Sequence, residues 1–243
     1  MTPKTLLKSF DEWRKQEQAL VLASVYETAG STYSKIGARM LINANGDFQG
    51  MLSGGCLEGD LAERAREVII SGIAQKVSYD LSLKNEDLWG LGIGCDGLMR
   101  IFLQPLLAEN DYAPFEAIAR AYEGDHPEVA AVVLDSDKDD IEPGATLVTV
   151  DDTVELFGLT DDGAKDLLIM AQSALVDNLS STSKIQIGTT KATILFALIK
   201  PRPRLLILGA GLDAEPITRL AAELGWRITV IDHRPAYIEN GSF

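Results

Sequence analysis

Nowhere in the 243 residues do apolar side chains run for the roughly 18 positions that a membrane-spanning helix needs. The stretch from Met1 to Arg14 is amphipathic and charged, without a signal-peptide apolar region or cleavage site. The expectation is a cytoplasmic protein with no membrane partner. Basic residues are scarce: 22 Lys and Arg stand against 36 Asp and Glu, a net charge of −14, and residues 109 to 166 alone hold 17 acids and 3 bases. Elsewhere acids and bases balance at 19 each, so no basic face is available to neutralise a run of phosphates, and nucleic acid is not an expected partner. Cysteine is nearly absent. Cys56 and Cys95 lie far apart, gain little from a disulfide in a reducing compartment, and read as free thiols. Together with His126 and His233 they match none of the usual zinc spacings. Also missing are a Gly-x-Ser-x-Gly elbow, a P-loop, and a His set as general base beside a nucleophile. The remaining composition, 46% apolar and 24% charged, is that of an ordinary globular chain with a sizeable core.

Apolar periodicity organises that chain. Leu6, Leu7, Phe10 and Trp13 mark one face of a helix over residues 5–18, and residues 19–26 read as a buried strand. Two short apolar runs, 38–42 and 48–52, flank Asn43-Ala-Asn-Gly-Asp47, whose Asn-Gly predicts a β-hairpin. The first half is then echoed. GARMLINANGDFQGML (37–52) aligns, with one gap, on GATLVTVDDTVELFGL (144–159). Each segment follows an apolar strand (20–25; 130–134) and leads to an amphipathic helix (57–71; 161–178) and an apolar strand ending in Pro105 or Pro201. The predicted fold is α/β: an N-terminal α/β module over 1–199 made of two pseudo-repeats, about 19–107 and 128–199, that share one core because neither alone is large. Lys200-Pro-Arg-Pro-Arg204 reads as a stiff linker. Behind it a strand (205–208), a glycine turn, a helix (216–224) and a second strand (227–231) predict the start of a Rossmann-like domain over 200–243. A doubly wound nucleotide fold needs at least a βαβαβ half, so the chain is expected to be truncated relative to a complete protein.

Chemistry-bearing residues cluster in the first copy. Ser53-Gly54-Gly55-Cys56-Leu57-Glu58 lies where a strand passes into a helix, so backbone amides and the helix dipole should favour an anion and lower the thiol pKa. A thiolate there is a nucleophile and a soft metal ligand. A free cysteine is, however, often only a small buried hydrophobe. Glu58, in the first helical turn, either caps amides or meets ligand donors. Gly94-Cys95-Asp96-Gly97 is a second glycine-flanked thiol, and Thr28-Ala-Gly-Ser31-Thr-Tyr33, followed by Lys35 and Arg39, is a third candidate wall for an anion. The second copy has Thr160-Asp-Asp-Gly163 and no cysteine. Near the C-terminus, Gly209-x-Gly211-x-x-Ala214 between strand and helix, with Asp232 ending the next strand, matches the dinucleotide spacing: glycines for a diphosphate, carboxylate for a ribose hydroxyl. Asp213 puts a negative charge near that phosphate position.

In order along nearly the whole chain, GSTYSKIGARM, SGGCLEGDL, GxGCDG with RIFLQPL, and RLLILGAGLDAEPITRLAAELGWRITVIDHRP resemble the XdhC/CoxI family. The resemblance implies a non-catalytic accessory chaperone that binds molybdenum cofactor (molybdopterin). Such a protein assists the cofactor's sulfuration and its insertion into xanthine dehydrogenase or carbon monoxide dehydrogenase type enzymes. It further implies a molybdenum hydroxylase apo-enzyme and a cysteine desulfurase as partners, and a homodimer. Ser53, Gly54, Gly55, Cys56 and Glu58 match the family's first loop; Cys95 and Gly97 match the second. Ser31 matches the glycine-serine loop, although many members continue with Ser-Pro-Arg where this chain has Thr32-Tyr33-Ser34. On this reading Cys56 coordinates or receives sulfur at the metal, Cys95 is a second thiol ligand, and Glu58 accepts a hydrogen bond from the pterin. Two other classes stay open. One is an NAD(P)-dependent oxidoreductase using Gly209, Gly211 and Asp232. The other is an interaction module whose acidic middle segment docks a basic partner.

Overall fold

Alternation of apolar residues at period two fixes which way each strand faces, and here both faces of each large sheet are covered. The computed structural model describes residues 3–80, 97–138, 140–241 and 243. A helix, α1 (Pro3–Lys15), precedes a sheet of β1 (Leu20–Gly30), β2 (Arg39–Asn43), β3 (Phe48–Gly50), β4 (Gln75–Asp80) and β5 (Gly97–Leu106), with α2 (Glu58–Ser71) between β3 and β4. The strand order is β3-β2-β1-β5-β4, every pairing antiparallel. After α3 (Phe115–Glu123) come β6 (Glu128–Ser136), β7 (Thr146–Val150), β8 (Thr153–Phe157), α4 (Asp161–Asp177), β9 (Ser181–Ile187) and β10 (Thr190–Ile199). Their order, β8-β7-β6-β10-β9, repeats the first sheet's connectivity, again antiparallel throughout.

Along β1, Leu20 and Leu22 point into a central core, while Val21, Ala23 and Val25 point to the opposite face. The central core joins both sheets: Leu41, Phe102 and Leu106 from the first meet Ala130, Val132, Val148 and Leu195 from the second. Leu6 and Phe10 of α1 and Phe115 and Ile118 of α3 belong to the same cluster. On the outer faces, α2 packs Leu61, Ala65 and Val68 against the first sheet, and α4 packs Leu167, Ala171 and Ala174 against the second. Polar ties cross between the sheets as well: the Gln104 amide donates to Gly144 O (2.8 Å), and Lys76 pairs with Asp135 (2.6 Å).

Residues 204–240 form a separate strand–helix–strand unit. β11 (Arg204–Leu208) and β12 (Arg227–Ile231) are parallel neighbours, linked by α5 (Ala214–Glu223) and followed by α6 (Pro235–Asn240). The unit leans on the end of α3 through ion pairs. Arg202 meets Glu123 at 2.9 Å, Arg227 meets Asp125 at 3.3 Å, and Arg204 also reaches Asp125. Apolar side chains stay in solvent on this unit, Leu206 at 57% and Leu208 at 78% exposed.

Candidate functional site

The turn joining β3 to α2 is built around one carboxylate. Glu58 is buried, and its oxygens accept from the N–H groups of Leu52 (2.9 Å), Ser53 (2.9 Å), Gly55 (2.9 Å) and Leu57 (3.2 Å), and from the Ser53 hydroxyl. Burial alone pushes such a carboxyl up. The Ser53 hydroxyl and the amides of Ser53 and Leu52 more than offset it, so Glu58 lies below the ordinary glutamate range and is ionised at neutral pH. The Ser53 Oγ also accepts from Leu57 N–H at 2.7 Å. Donors wrapped around one anion require a tight reversal of the chain, which Gly54 (φ +81°) and Gly55 (φ +110°) supply from the region closed to most side chains.

This arrangement bears on two residues singled out in the sequence. Glu58 is turned inward and saturated with donors from its own loop, so it caps amides and has no free oxygen for a pterin. Ser53, also buried, donates its hydroxyl proton to Glu58. What the loop does present outward is Cys56, whose thiol is exposed and free. Among the described residues, the N–H groups of Gly54 and Cys56 have no hydrogen-bond partner. An exposed soft sulfur beside two open amides suits a ligand carrying both a soft metal and an anionic group.

A second loop meets this one. Tyr33 is 61% exposed, and a Cβ on Gly54 would stand 3.2 Å from its ring. Ser34 Oγ donates to Met51 O at 3.2 Å, which ties the same loop to the strand end before the turn. At the far side, Gly97 pairs with Gly30, and a Cβ there would lie 2.6 Å from Ala29 O and 2.8 Å from Ser31 O. The exposed Ser31 and the buried Gly97 are therefore neighbours, and the 31–34 segment runs between Gly97 and Gly54. Cys95 lies outside the described residues. Tyr33 closes the loop that the sequence offers as a third anion wall; what the sequence does not show is that its ring lies against the Gly54 turn.

The C-terminal glycine turn is organised differently from the dinucleotide expectation. The Asp232 side chain, 1% exposed, accepts from Ala210 N–H (2.7 Å) and from Arg234 N–H, Nε and Nη2 at 2.8–3.0 Å. Those Arg234 and Ala210 donors hold Asp232 far below the usual carboxylate range. Its oxygens are thus committed within the chain, and a ribose hydroxyl would have to displace them. Gly209 adopts φ +122° and donates to Ile231 O at 2.7 Å, while Asp213 crowds the open side of Gly211. Gly209, Gly211 and Asp232 form a fold-making turn that is remote in sequence from the Cys56 loop. The acidic segment is likewise partly spent on internal pairs: Glu116 with Arg14 (2.6 Å), Glu155 with Arg120 (2.7 Å) and Asp135 with Lys76.

Comparison with known proteins follows the same residues. The profile of the XdhC and CoxI family matches residues 13–80, which carry the 31–34 loop, the glycine turn and α2. Over 228 residues the chain is 29% identical to a Bacillus subtilis protein described as a probable xanthine dehydrogenase component, covering 94% of this chain and 63% of that one. It is 28% identical over 111 residues to the molybdenum cofactor insertion chaperone PaoD of Escherichia coli, 43% of this chain and 34% of that protein. A crystal structure of a xanthine dehydrogenase from Bacillus halodurans superposes with a TM-score of 0.68 at 25% identity, over 98% of this chain and 64% of that one. The chain spans less than two thirds of the length of each of these relatives.

Proposed function

We propose that the chain, whose residues 13–80 match the XdhC and CoxI family, is an accessory chaperone which binds molybdenum cofactor as cargo and assists its sulfuration and insertion into a xanthine dehydrogenase or carbon monoxide dehydrogenase type enzyme. The observation that carries this reading is the exposed Cys56 thiol at the tip of a rigid Gly54–Gly55 turn. A thiolate is a suitable ligand for a soft, sulfur-bound metal, and the open amides of Gly54 and Cys56 can face the negative charge around it. Glu58 and Ser53 act behind the turn: they hold its shape so that the thiol need not be ordered when cargo arrives. Gly97 and Ser31 border the same region, and Cys95, which directly precedes Asp96-Gly97 in sequence, is the proposed second thiol. On this reading the protein works in the cytoplasm, as a homodimer, between a cysteine desulfurase and a molybdenum hydroxylase apo-enzyme.

The oxidoreductase reading loses its main residue, since Asp232 is already satisfied by Ala210 and Arg234. Co-purification tests the proposal. Expressed in a cofactor-replete cell, the wild-type protein should retain pterin fluorescence and molybdenum, Cys56→Ser should lose most of both, and Cys95→Ser should lower them. Wild-type occupancy in both variants ends the assignment.

A further inference from the structure

A cleft of about 580 Å³, within the size range of small-ligand sites, shares Tyr33 with the Gly54 turn. Tyr33, Ser34, Arg39, Met51 and Tyr122 line it, and no acidic residue does so among the described residues. In a chain of net charge −14, a cleft whose lining charge is one guanidinium is unusual in kind. Arg39 is only 9% exposed, and among the described residues no carboxylate lies within 4.0 Å of it. Its partners are neutral: Tyr122 Oη (3.2 Å), Leu198 O (3.3 Å) and Ala197 O (3.2 Å). These are longer than the roughly 2.7–2.9 Å of a bond between two charged groups. A guanidinium has five N–H donors, so two, one on Nη2 and one on Nε, meet no acceptor among the described residues. A buried cation is normally compensated by an anion, and none of the described residues supplies one.

We infer that the Arg39 cleft is an anion site that seats the phosphate-bearing end of a pterin, with Tyr33 shared between this cleft and the Cys56 turn. The inference rests on the proposed cofactor reading for the identity of the pterin, but the anion site stands on Arg39 alone. The fork of a guanidinium matches two oxygens of a phosphate monoester, and the rims of Tyr33 and Tyr122 offer flat apolar surface to a ring system. Tyr33 lines the cleft and also packs on Gly54, so a ligand held by Arg39 at one end extends toward the thiol loop. The division of labour is charge recognition at Arg39 and soft-metal recognition at Cys56.

The test uses two probes that differ only in phosphate: the oxidised phosphorylated pterin released from molybdopterin, and the same pterin after phosphatase treatment. The wild-type protein should bind the phosphorylated form about tenfold or more tighter, the scale of a hydrogen-bonded contact to a charged group. Arg39→Gln should bring the two affinities together without weakening the dephosphorylated form. Should that variant fail to fold, Arg39→Lys, which keeps charge without the fork, should show a smaller preference than wild type. Equal wild-type affinity for both pterins, or an undiminished preference in the folded Arg39 variants, overturns the inference while leaving the cofactor reading intact. If neither pterin binds, yet inorganic phosphate raises the wild-type melting temperature and not that of the Arg39 variant, the cleft is an anion site but not a pterin seat, and the inference is overturned. No phosphate protection and no pterin preference removes the site altogether.

Discussion

A single carboxylate illustrates how a residue's role depends on which way it turns. Glu58 stands in the first turn of α2, where either capping or ligand contact is chemically reasonable, and the sequence pattern is the same for both. The fold resolves it: four amides and a hydroxyl converge on Glu58, so its contribution is to shape the Gly54–Gly55 turn. The glycines and Cys56 are legible in the sequence because glycine best accepts the turn and a cysteine brings a thiolate donor; the inward pose of Glu58 and Ser53 is not. Glu58→Gln places an NH₂ among donors and should lower stability by about 2–4 kcal/mol, read from urea unfolding. The pH dependence has a definite sign. Because the folded carboxyl titrates below its unfolded value, its stabilisation is full above the unfolded glutamate range and is lost as pH falls through the lower, folded value. The wild-type protein should therefore lose stability on acidification more steeply than Glu58→Gln, whose acid limb lacks this contribution.

Elements that bury apolar residues at a clear period are readable from sequence; those that do so weakly are not. The hairpin of β2 and β3 and the second sheet's β7 and β8 follow from Asn-Gly and from aligned apolar runs. The edge strands β4 and β9 give no such signal: β4 buries only Val77 and β9 only Ile187, and exposed lysines on each blunt the edge. α3 is hidden in the acidic segment, where Phe115, Ala117, Ile118 and Ala121 carry its buried face among charged neighbours. Glycine contacts separate the elements by function. Gly97→Ala sets a methyl against Ala29 O and Ser31 O, so it should cost more than about 2 kcal/mol and disturb the 31–34 loop. Gly55→Ala meets nothing within 4 Å and should carry only the backbone strain of its positive φ, about 1–3 kcal/mol. Thermal melts of the two variants, with amide exchange over residues 29–34, distinguish the cases.

At the scale of the whole molecule, the two sheets are bound by one core and the strand–helix–strand unit by surface charge. Phe102 and Leu195 sit in the shared cluster, so Phe102→Ala should destabilise by about 3–5 kcal/mol and lower the unfolding midpoint of both sheets together. Arg202, Arg204 and Arg227 instead hold β11 and β12 to α3 by partly exposed ion pairs, each worth roughly 0–1 kcal/mol and weakened by salt. Amide exchange at high ionic strength should accordingly rise in β11 and β12 before it rises in β1 or β6. The repeated strand order is legible through the aligned hairpins, whereas the asymmetry between the halves is a matter of loops: a thiol turn in one, Thr160-Asp-Asp-Gly163 in the other. The site therefore belongs to one half, and the other half's carbonyls at Ala197 and Leu198 reach it only through Arg39.

The most direct measurement is molybdenum K-edge absorption on the cofactor-loaded protein, compared between wild type and Cys56→Ser. If Cys56 is a ligand, the wild-type spectrum should contain a sulfur scatterer, in addition to the dithiolene pair, that disappears in the variant. Identical spectra for the two proteins, or molybdenum bound with no sulfur from the protein, would contradict it.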